Sequence, residues 1–454
     1  MTKGRINLIT FIKSESCNLV FFLARFLVIY IAMSSVIVIG AGASGLAAAR
    51  SLSKRGNQVF VIEARDRVGG RAFTSHENGF SQLVEHGAEF IHGDLPHTQR
   101  LAKEAGVAFR EGTGRQWSVD SGRKHEGEFF DNGWDTLIRA LKELDHDMSI
   151  AQFLDENFPG DKYQSLRKSV TRFVQGFDAA DANKASAFAL RQEWTETDAT
   201  TGYHLIGGYS ALMDHLFQQC RVAGVTFYFS SPVCEIYWQE GKVTVITEKG
   251  ERFDAEKLII TIPPAVLKSG VIRFFPEMPE QQAAISKIET GGVIKFLFEF
   301  TEPVWEKDGH EDFRKFPEAH FIFSDAFVPT WWTQRPSMVP LLTGWLSGPV
   351  TRTITMNDEQ LLDEGVKSLG YIFDCPEQKV RSMIRGSKVV NWVNDPYALG
   401  AYAYKTVDTS AAIEVLSKPV LDTVFFAGEA YYQGPEMGTV EAAFASGLSS
   451  AKLI

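Results

Sequence analysis

An apolar run from Val36 to Ile39 leads directly into Gly40, Gly42 and Gly45, then into an Ala-rich helical stretch and a second apolar run that ends in Glu63. The first run has the length of a buried strand, and the glycines follow it with the spacing G-x-G-x-x-G. That order, strand then glycines then helix then acid, predicts a βαβ unit that binds an adenine dinucleotide. Gly40 permits the tight turn, Gly42 lets backbone approach a pyrophosphate, and Gly45 lets helix pack on strand. Ala43 and Ser44, at the helix start, offer unpaired N–H groups to phosphate. Glu63 can accept a ribose hydroxyl, which argues against a 2′-phosphate there, and Ala64 and Arg65 follow it at the same site. A bare tight turn would need neither the helix nor the acid at this distance.

The next residues bear on which dinucleotide is bound. Arg67, Gly69, Gly70 and Arg71 form R-x-G-G-R. Adjacent glycines again allow close approach to phosphate, and two arginines can offset its charge. The alternative is a Gly-Gly loop with solvated arginines, but the pair sits just past the ribose-binding acid. To this point the chain resembles the FAD-binding oxidoreductases with a glutathione-reductase-like fold.

The 454 residues suffice for two or three compact units, and 44% hydrophobic with 22% charged residues fits a globular protein. A formal net charge of −10 and no basic stripe argue against a nucleic-acid partner. Cys17, Cys220, Cys234 and Cys375 are scattered, suggesting neither a metal site nor a disulfide framework. The 34 phenylalanines suit an apolar cavity or a large core equally, and core is the default.

The N-terminus is ambiguous. Lys3, Arg5 and Lys13 precede an apolar run from Leu19 to Met33, a pattern that could be a signal anchor. The run is shorter than the ~20 residues that span a bilayer. Arg25 interrupts it, at a cost of about 3 kcal/mol in a membrane. The first strand also begins too soon after it for a linker. A cleavable signal would have a poor site at Ala32-Met33-Ser34. The blander expectation is that Met33 is the true start and the protein cytoplasmic, exported or anchored only if residues 1–33 are a genuine signal.

Further along, residues 134–178 look helical, and 179–202 are polar and Ala-rich. Short β-like runs follow at Val225–Phe229, Val233–Trp238, Val243–Thr247 and Leu258–Ile262, with a hairpin turn at Glu248-Lys249-Gly250. Residues 291–300 read as a buried strand carrying one lysine, 301–340 as Pro- and aromatic-rich loops, and 389–404 and 424–428 as β runs. A last helix rich in small residues starts near Gly438. A fingerprint at the start and this helix at the end suggest a cofactor domain interrupted by a substrate domain.

From about Val36 to its end, the chain resembles the flavin-containing amine oxidases. The resemblance rests on Arg67 to Arg71, Gly87-Ala88-Glu89-Phe90-Ile91-His92-Gly93, Gly207-Gly208-Tyr209, Pro263 to Leu267, Lys295, Trp392, Phe426-Ala427-Gly428-Glu429 and Gly438-Thr439-Val440-Glu441. It implies an α/β fold in which a glutathione-reductase-like FAD-binding Rossmann domain holds an inserted α+β substrate domain. The expected FAD-binding parts are 34–96, 205–288 and 391–454, and the substrate parts 97–204 and 289–390, after a doubtful 1–33 extension.

It implies roles as well. Glu63 binds the adenosine ribose, and Arg71 with the glycine loop holds the pyrophosphate. Gly87, Ala88, Glu89 and Phe90 pass along the flavin, and Val233 contacts the adenine side through its backbone. Gly428 and Glu429 reach the ribityl chain or pyrophosphate, and Gly438, Thr439 and Val440 meet the isoalloxazine. A helix N-terminus there favours the negative charge of reduced flavin.

Lys295 is the leading catalytic candidate. A lysine among Val, Ile, Phe and Leu needs a partner for its head. In the family it holds a water against flavin N5; the alternative is a lysine snorkelling at a strand end. Trp392 and Tyr402 are the expected aromatic walls. His92 resembles a tunnel residue of the polyamine-oxidase branch, or is a loop histidine bonded to backbone. Ala401 stands where monoamine oxidases carry a flavin-linked cysteine, which implies non-covalent FAD. Thr439 stands where they place a second cage tyrosine.

The expected reaction takes an amine to an imine, then an aldehyde, and reduces O2 to H2O2. An L-amino-acid oxidase would need an arginine for the substrate carboxylate, such as Arg100 or Arg191. A desaturase or protoporphyrinogen-oxidase-like enzyme, or a flavoprotein scaffold, are further alternatives. The partners expected are a small amine and O2.

Overall fold

The first strand, Ser35–Ile39, lies at the centre of a parallel sheet. A computed structural model of the protein describes residues 34–127, 133–197, 202–306 and 312–454. The expectations for a leader, an anchor or a start at Met33 fall outside the described residues. Among those described, five strands form this sheet, in the order Thr226–Tyr228, Gln58–Ile62, Ser35–Ile39, Lys257–Ile260, Val424–Phe426. A parallel sheet is covered on both faces, so its strands are apolar throughout. Alternate residues divide between two cores: Ile37, Ile39, Leu258 and Ile260 on one face, and Val36, Val38, Ile259 and Phe425 on the other.

Helix Ala43–Lys54 packs on the second face, and the last helix, Val440–Lys452, packs on it in turn. Small residues permit that contact: a Cβ on Gly447 would stand 2.2 Å from the Ser44 carbonyl oxygen. Segments almost four hundred residues apart therefore close on the same sheet. A four-stranded sheet, Arg252–Ala255, Lys242–Thr247, Val233–Gln239 and Arg273–Phe275, covers the first face.

A separate seven-stranded sheet runs Ile384–Asn391, Val293–Phe300, Leu341–Ser347, Thr330–Trp332, Ala319–Ser324, Arg115–Asp120, Arg123–Glu126. All eight residues of Val293–Phe300 are buried, Lys295 and Glu299 included. Helix Asp358–Phe373 covers one face through Leu361, Leu369 and Phe373.

Several local expectations change. Residues 301–340 are not only loops, because Phe321, Ile322 and Phe323 pair antiparallel with Trp332, Trp331 and Thr330. Their proline-rich surroundings hide the strand. The polar stretch after residue 179 contains helix Ala187–Glu196, capped by Ser186, which accepts the Ala189 N–H. The helical region before it breaks into Trp134–Glu143, Ile150–Asn157 and Gln164–Gly176, with Ser149 capping the second. The expected β run from Val389 divides into Ile384–Asn391 and the two-residue strand Ala403–Tyr404, with the aromatic-wall loop between them. Among the described residues no helix is long and apolar enough to cross a membrane.

The turn after the first strand tolerates little. Gly40 has φ +103°, and a Cβ on Gly45 would lie 1.9 Å from the Gly40 carbonyl oxygen. Gly45→Ala must push helix Ala43–Lys54 away from the turn. Overpacking of this kind costs about 1–3 kcal/mol, so flavin retained on purification should fall several-fold or more, as read from the visible absorbance per mole of protein.

Candidate active site

Every residue singled out for the cofactor, except Gly45 and Arg67, lines one cavity of about 1210 Å³ between the parallel sheet and the seven-stranded sheet. His92, Trp392 and Tyr402 line it too. Gly45 lies behind the wall, where its lack of a side chain sets the helix position. Lys295 is also absent from the wall, being wholly buried behind it.

At one end stands the nucleotide cradle. Helix Ala43–Lys54 begins after Gly42 with no side-chain cap, so its first N–H groups point into the cavity unclaimed by the helix. Ser44 Oγ is buried there without a partner. Glu63 is buried and accepts the Ala41 N–H at 2.7 Å and the Arg65 N–H at 2.9 Å. Burial raises its pKa, against the lowering effect of those two bonds. Open N–H donors, an orphaned hydroxyl and a buried acid fit the phosphates and ribose of an adenine dinucleotide.

The arginines divide their work differently from the expectation. Arg67 does not line the cavity; it donates to the Val68 and Gly70 carbonyls and stacks 3.6 Å from the centre of the Phe73 ring. It braces the glycine loop rather than a phosphate. Arg71 does line the cavity, and one of its nitrogens donates to Glu429 at 2.8 Å and to the Ala401 carbonyl. Arg65 pairs with Asp395 at 2.6 Å.

At the other end the walls are aromatic. The Tyr402 hydroxyl donates to the Phe177 carbonyl, and its ring lies 6.5 Å from Trp345 at an interplanar angle of 20°. Trp392 is buried and donates to the His86 carbonyl at 2.9 Å. Both rings are thus fixed by their polar ends. Ala401 lies between them in sequence, and no described cysteine lines the cavity. Thr439 Oγ accepts the Ala442 N–H and donates to the Glu436 carbonyl, so its side chain caps the last helix.

Glu89 lines the cavity, and protein donors surround its carboxylate. Its carboxylate is not left for the nucleotide: one oxygen accepts Lys295 Nζ at 2.6 Å, and the other accepts Trp332 Nε1 and Gln334 Nε2, each at 2.9 Å. Lys295 also donates to the Gly87 carbonyl at 3.2 Å. Burial pushes the Glu89 pKa up, but Lys295 and His204 with the hydrogen bonds outweigh it and hold it low. Lys295 was expected to face a water at the flavin. In this structure its head meets a carboxylate, which supplies the charge partner that a wholly buried ammonium needs. Removing either partner leaves the other charge buried alone, at a cost of about 3–5 kcal/mol.

Two further acids share the wall. Asp178 follows helix Gln164–Gly176, Glu193 lies on helix Ala187–Glu196, and both line the cavity. They are hydrogen-bonded to each other and close enough to Tyr402 to act on it electrostatically. Burial, then the other's charge, lifts Asp178 well above the carboxylate range; burial pushes Glu193 up to about 7. One Asp178 oxygen has no hydrogen-bond partner.

The arrangement matches known proteins. The model for flavin containing amine oxidoreductases matches residues 43–454. The chain belongs to the flavin-containing amine oxidoreductase family. Polyamine oxidase 4 of Oryza sativa subsp. japonica is 28% identical over 450 residues, covering 92% of this chain and 88% of that protein. The structures of putrescine oxidase bound to putrescine and of cyclohexylamine oxidase from Brevibacterium oxydans IH-35A each superpose with a TM-score of 0.76 at 21% identity, covering 92% of this chain and 98% of theirs. At that identity they attest the fold, a mixed α/β architecture. The chain is an FAD-dependent amine oxidoreductase: it oxidises an amine to an imine and reduces oxygen to hydrogen peroxide.

The arginines suggested for an amino-acid carboxylate lie elsewhere. Arg100 reaches His97, Arg191 donates to the Leu141 and Leu144 carbonyls, and neither lines the cavity. Sequence reading missed Asp178, Glu193, Trp332, Trp345 and His204. None has a fixed spacing to a motif; only Glu89, inside the Gly87–Gly93 motif, hinted at a polar centre there.

His92 is in ring contact with Phe177, and burial, then His204, pushes it down to about 4. A histidine depressed in the folded state contributes stability that is complete above its unfolded pKa near 6.5 and is lost as pH falls toward 4. Replacing it with leucine should therefore shrink the drop in Tm of the holoenzyme between pH 7 and pH 5, measured by thermal unfolding in matched buffers.

Proposed function

We propose that the amine oxidised carries a second positive charge, as a diamine or polyamine does, and that Asp178 and Glu193 receive it. The observation behind this is two mutually hydrogen-bonded carboxyl groups on the wall of the reaction cavity, Asp178 buried with one oxygen unpartnered and Glu193 half-buried. The neighbouring lysine, Lys405, donates to the Gln433 and Gly434 carbonyls; its charge lowers Glu193 but does not offset the effect of burial. An ammonium group would take the place of a proton there and form charge-assisted hydrogen bonds. The names of the rice relative and of the putrescine-bound structure favour the same class.

In this reading Ala43 and Ser44 would donate to the pyrophosphate, Glu63 would take the ribose, and Val440 with Gly438 would meet the ring system. FAD, when bound, supplies the acceptor for the two electrons removed from the amine. Trp392, Tyr402 and Trp345 exclude water and present ring faces to the reacting amine. Loss of that amine's charge precedes oxidation, while the remote ammonium keeps its own charge against the acids.

The finer fold assignment belongs with this reading. The five-stranded parallel sheet, assembled from segments at 35–62, 226–260 and 424–426, is of glutathione-reductase-like type. The seven-stranded sheet is the core of the substrate domain. In this reading the cofactor segments are 34–96, 205–288 and 391–454 and the substrate segments 97–204 and 289–390; the five- and seven-stranded sheets support it, while strand Gly202–Leu205 straddles one boundary. With an alanine at 401, the flavin is held without a covalent bond, so acid precipitation of the yellow protein should leave the flavin in the supernatant.

Asp178→Asn and Glu193→Gln test the substrate class. A charged hydrogen bond contributes about 1.5–3 kcal/mol, so kcat/KM for putrescine or spermidine should fall about ten- to a hundredfold. The loss on benzylamine should be at least tenfold smaller. Equal losses on both would show that the pair supports the fold and not the remote charge. Anaerobic bleaching by an L-amino acid but not by its decarboxylated amine would move the enzyme to the amino-acid class.

A further inference from the structure

We propose that Glu89 is a positioning residue for amine oxidation: its one carboxylate fixes the cation of Lys295 behind the cavity wall and the indole of Trp332 on it. Four segments converge there. Glu89 precedes strand Phe90–His92; Lys295 lies in Val293–Phe300, Trp332 in Thr330–Trp332, and His204 in Gly202–Leu205, the strand that pairs with Phe90. Lys295 Nζ takes one oxygen, and Trp332 and Gln334 share the other. His204 Nδ1 stands 3.8 Å from that second oxygen.

The geometry separates the lysine from the cavity. Lys295 has no exposed surface, whereas Glu89, Trp332 and Gly87 line the wall. The protein groups that Lys295 bonds, the Glu89 carboxylate and the Gly87 carbonyl, both belong to the wall. The Trp332 ring is held at both ends: its N–H is on Glu89, and its ring centre lies 5.6 Å from Lys295 Nζ. Trp332 also lies 5.7 Å from Trp345, which faces Tyr402 at 6.5 Å. One carboxylate therefore sets a cation and, through Trp332, a run of three aromatic rings.

The charge has a consequence for the flavin that this family binds. Lys295 paired with Glu89 presents no net charge to the cavity. Without the carboxylate, a bare cation would stand one side chain behind a wall lined by cofactor-binding segments, and would favour the flavin that has gained negative charge. Glu89→Gln keeps the size and removes the charge; it also turns an N–H₂ group toward either Lys295 or the Trp332 and Gln334 donors.

The holoenzymes of Glu89→Gln and of the double variant Glu89→Gln, Lys295→Gln answer the question together. The flavin reduction potential should rise in the single variant and return toward wild type in the double, which has no bare cation. The rate of anaerobic flavin reduction by a good amine substrate should fall at least tenfold in both, since neither keeps the clamp. Thermal unfolding should show the double variant more stable than the single. If the single variant does not fold, the double decides: flavin reduction at the wild-type rate overturns the proposal. So does a single variant that folds with wild-type potential and wild-type reduction rate. A double variant that regains stability but not rate supports positioning over mere support of the fold.

Discussion

The buried contact between Glu89 and Lys295 joins the two halves of this molecule. Glu89 belongs to a segment that lines the cofactor cavity, and Lys295 belongs to the central part of the seven-stranded sheet. Neither charge is tolerable alone at that depth, so the sheet is docked against the cavity in a single register. Trp332 and Gln334 satisfy the remaining carboxylate oxygen and bring in strand Thr330–Trp332, two places along the sheet, and its continuation. A hydrophobic contact would bury the same surface but would let the sheet slide. A carboxylate with three hydrogen-bond donors at fixed angles does not.

The nucleotide end obeys a different constraint, close approach of backbones. Gly40, Gly45 and Gly447 occupy points where a Cβ would collide with an oxygen atom. The helix that opens the chain's first βαβ unit and the helix that closes the chain thus meet without side chains between them. Their packing leaves the first N–H groups of helix Ala43–Lys54 facing the cavity, with Ser44 Oγ unpartnered beside them. The anion site is a by-product of how tightly the strand, turn and helix are folded together.

This difference explains what the sequence disclosed. The glycine fingerprint, Glu63 and the strand that carries Lys295 are local patterns: periodicity, spacing and a charge in an apolar run. Such patterns survive in one dimension, and the residues they mark lie together on or just behind one cavity wall. The partner of Lys295 was within a quoted motif, yet its direction could not be read, because a side chain's aim depends on which sheet packs above it. Asp178 and Glu193 were harder still. They sit in a polar, Ala-rich region and a helix that composition disguised, and they meet only when helix Ala187–Glu196 folds back over the end of Gln164–Gly176. Arg67 shows the converse case: its spacing suited phosphate, but a loop carbonyl and the Phe73 face lay closer.

The protonation of the cavity follows from the same burial. His92 and His320 are each pushed down to about 4, first by burial, so they stay neutral near pH 7. Asp178 is raised well above its usual range and Glu193 to about 7, again first by burial. Glu89 is the exception, held low by Lys295 despite burial. The interior thus withholds charge wherever no partner is present and keeps it where one is. On the proposed reading, a diamine enters as that partner. Its remote ammonium displaces a proton from the Asp178–Glu193 pair, while its reacting end lies against aromatic faces. The cavity would then favour charge at one nitrogen and neutrality at the other, the distribution that oxidising one end of a diamine requires.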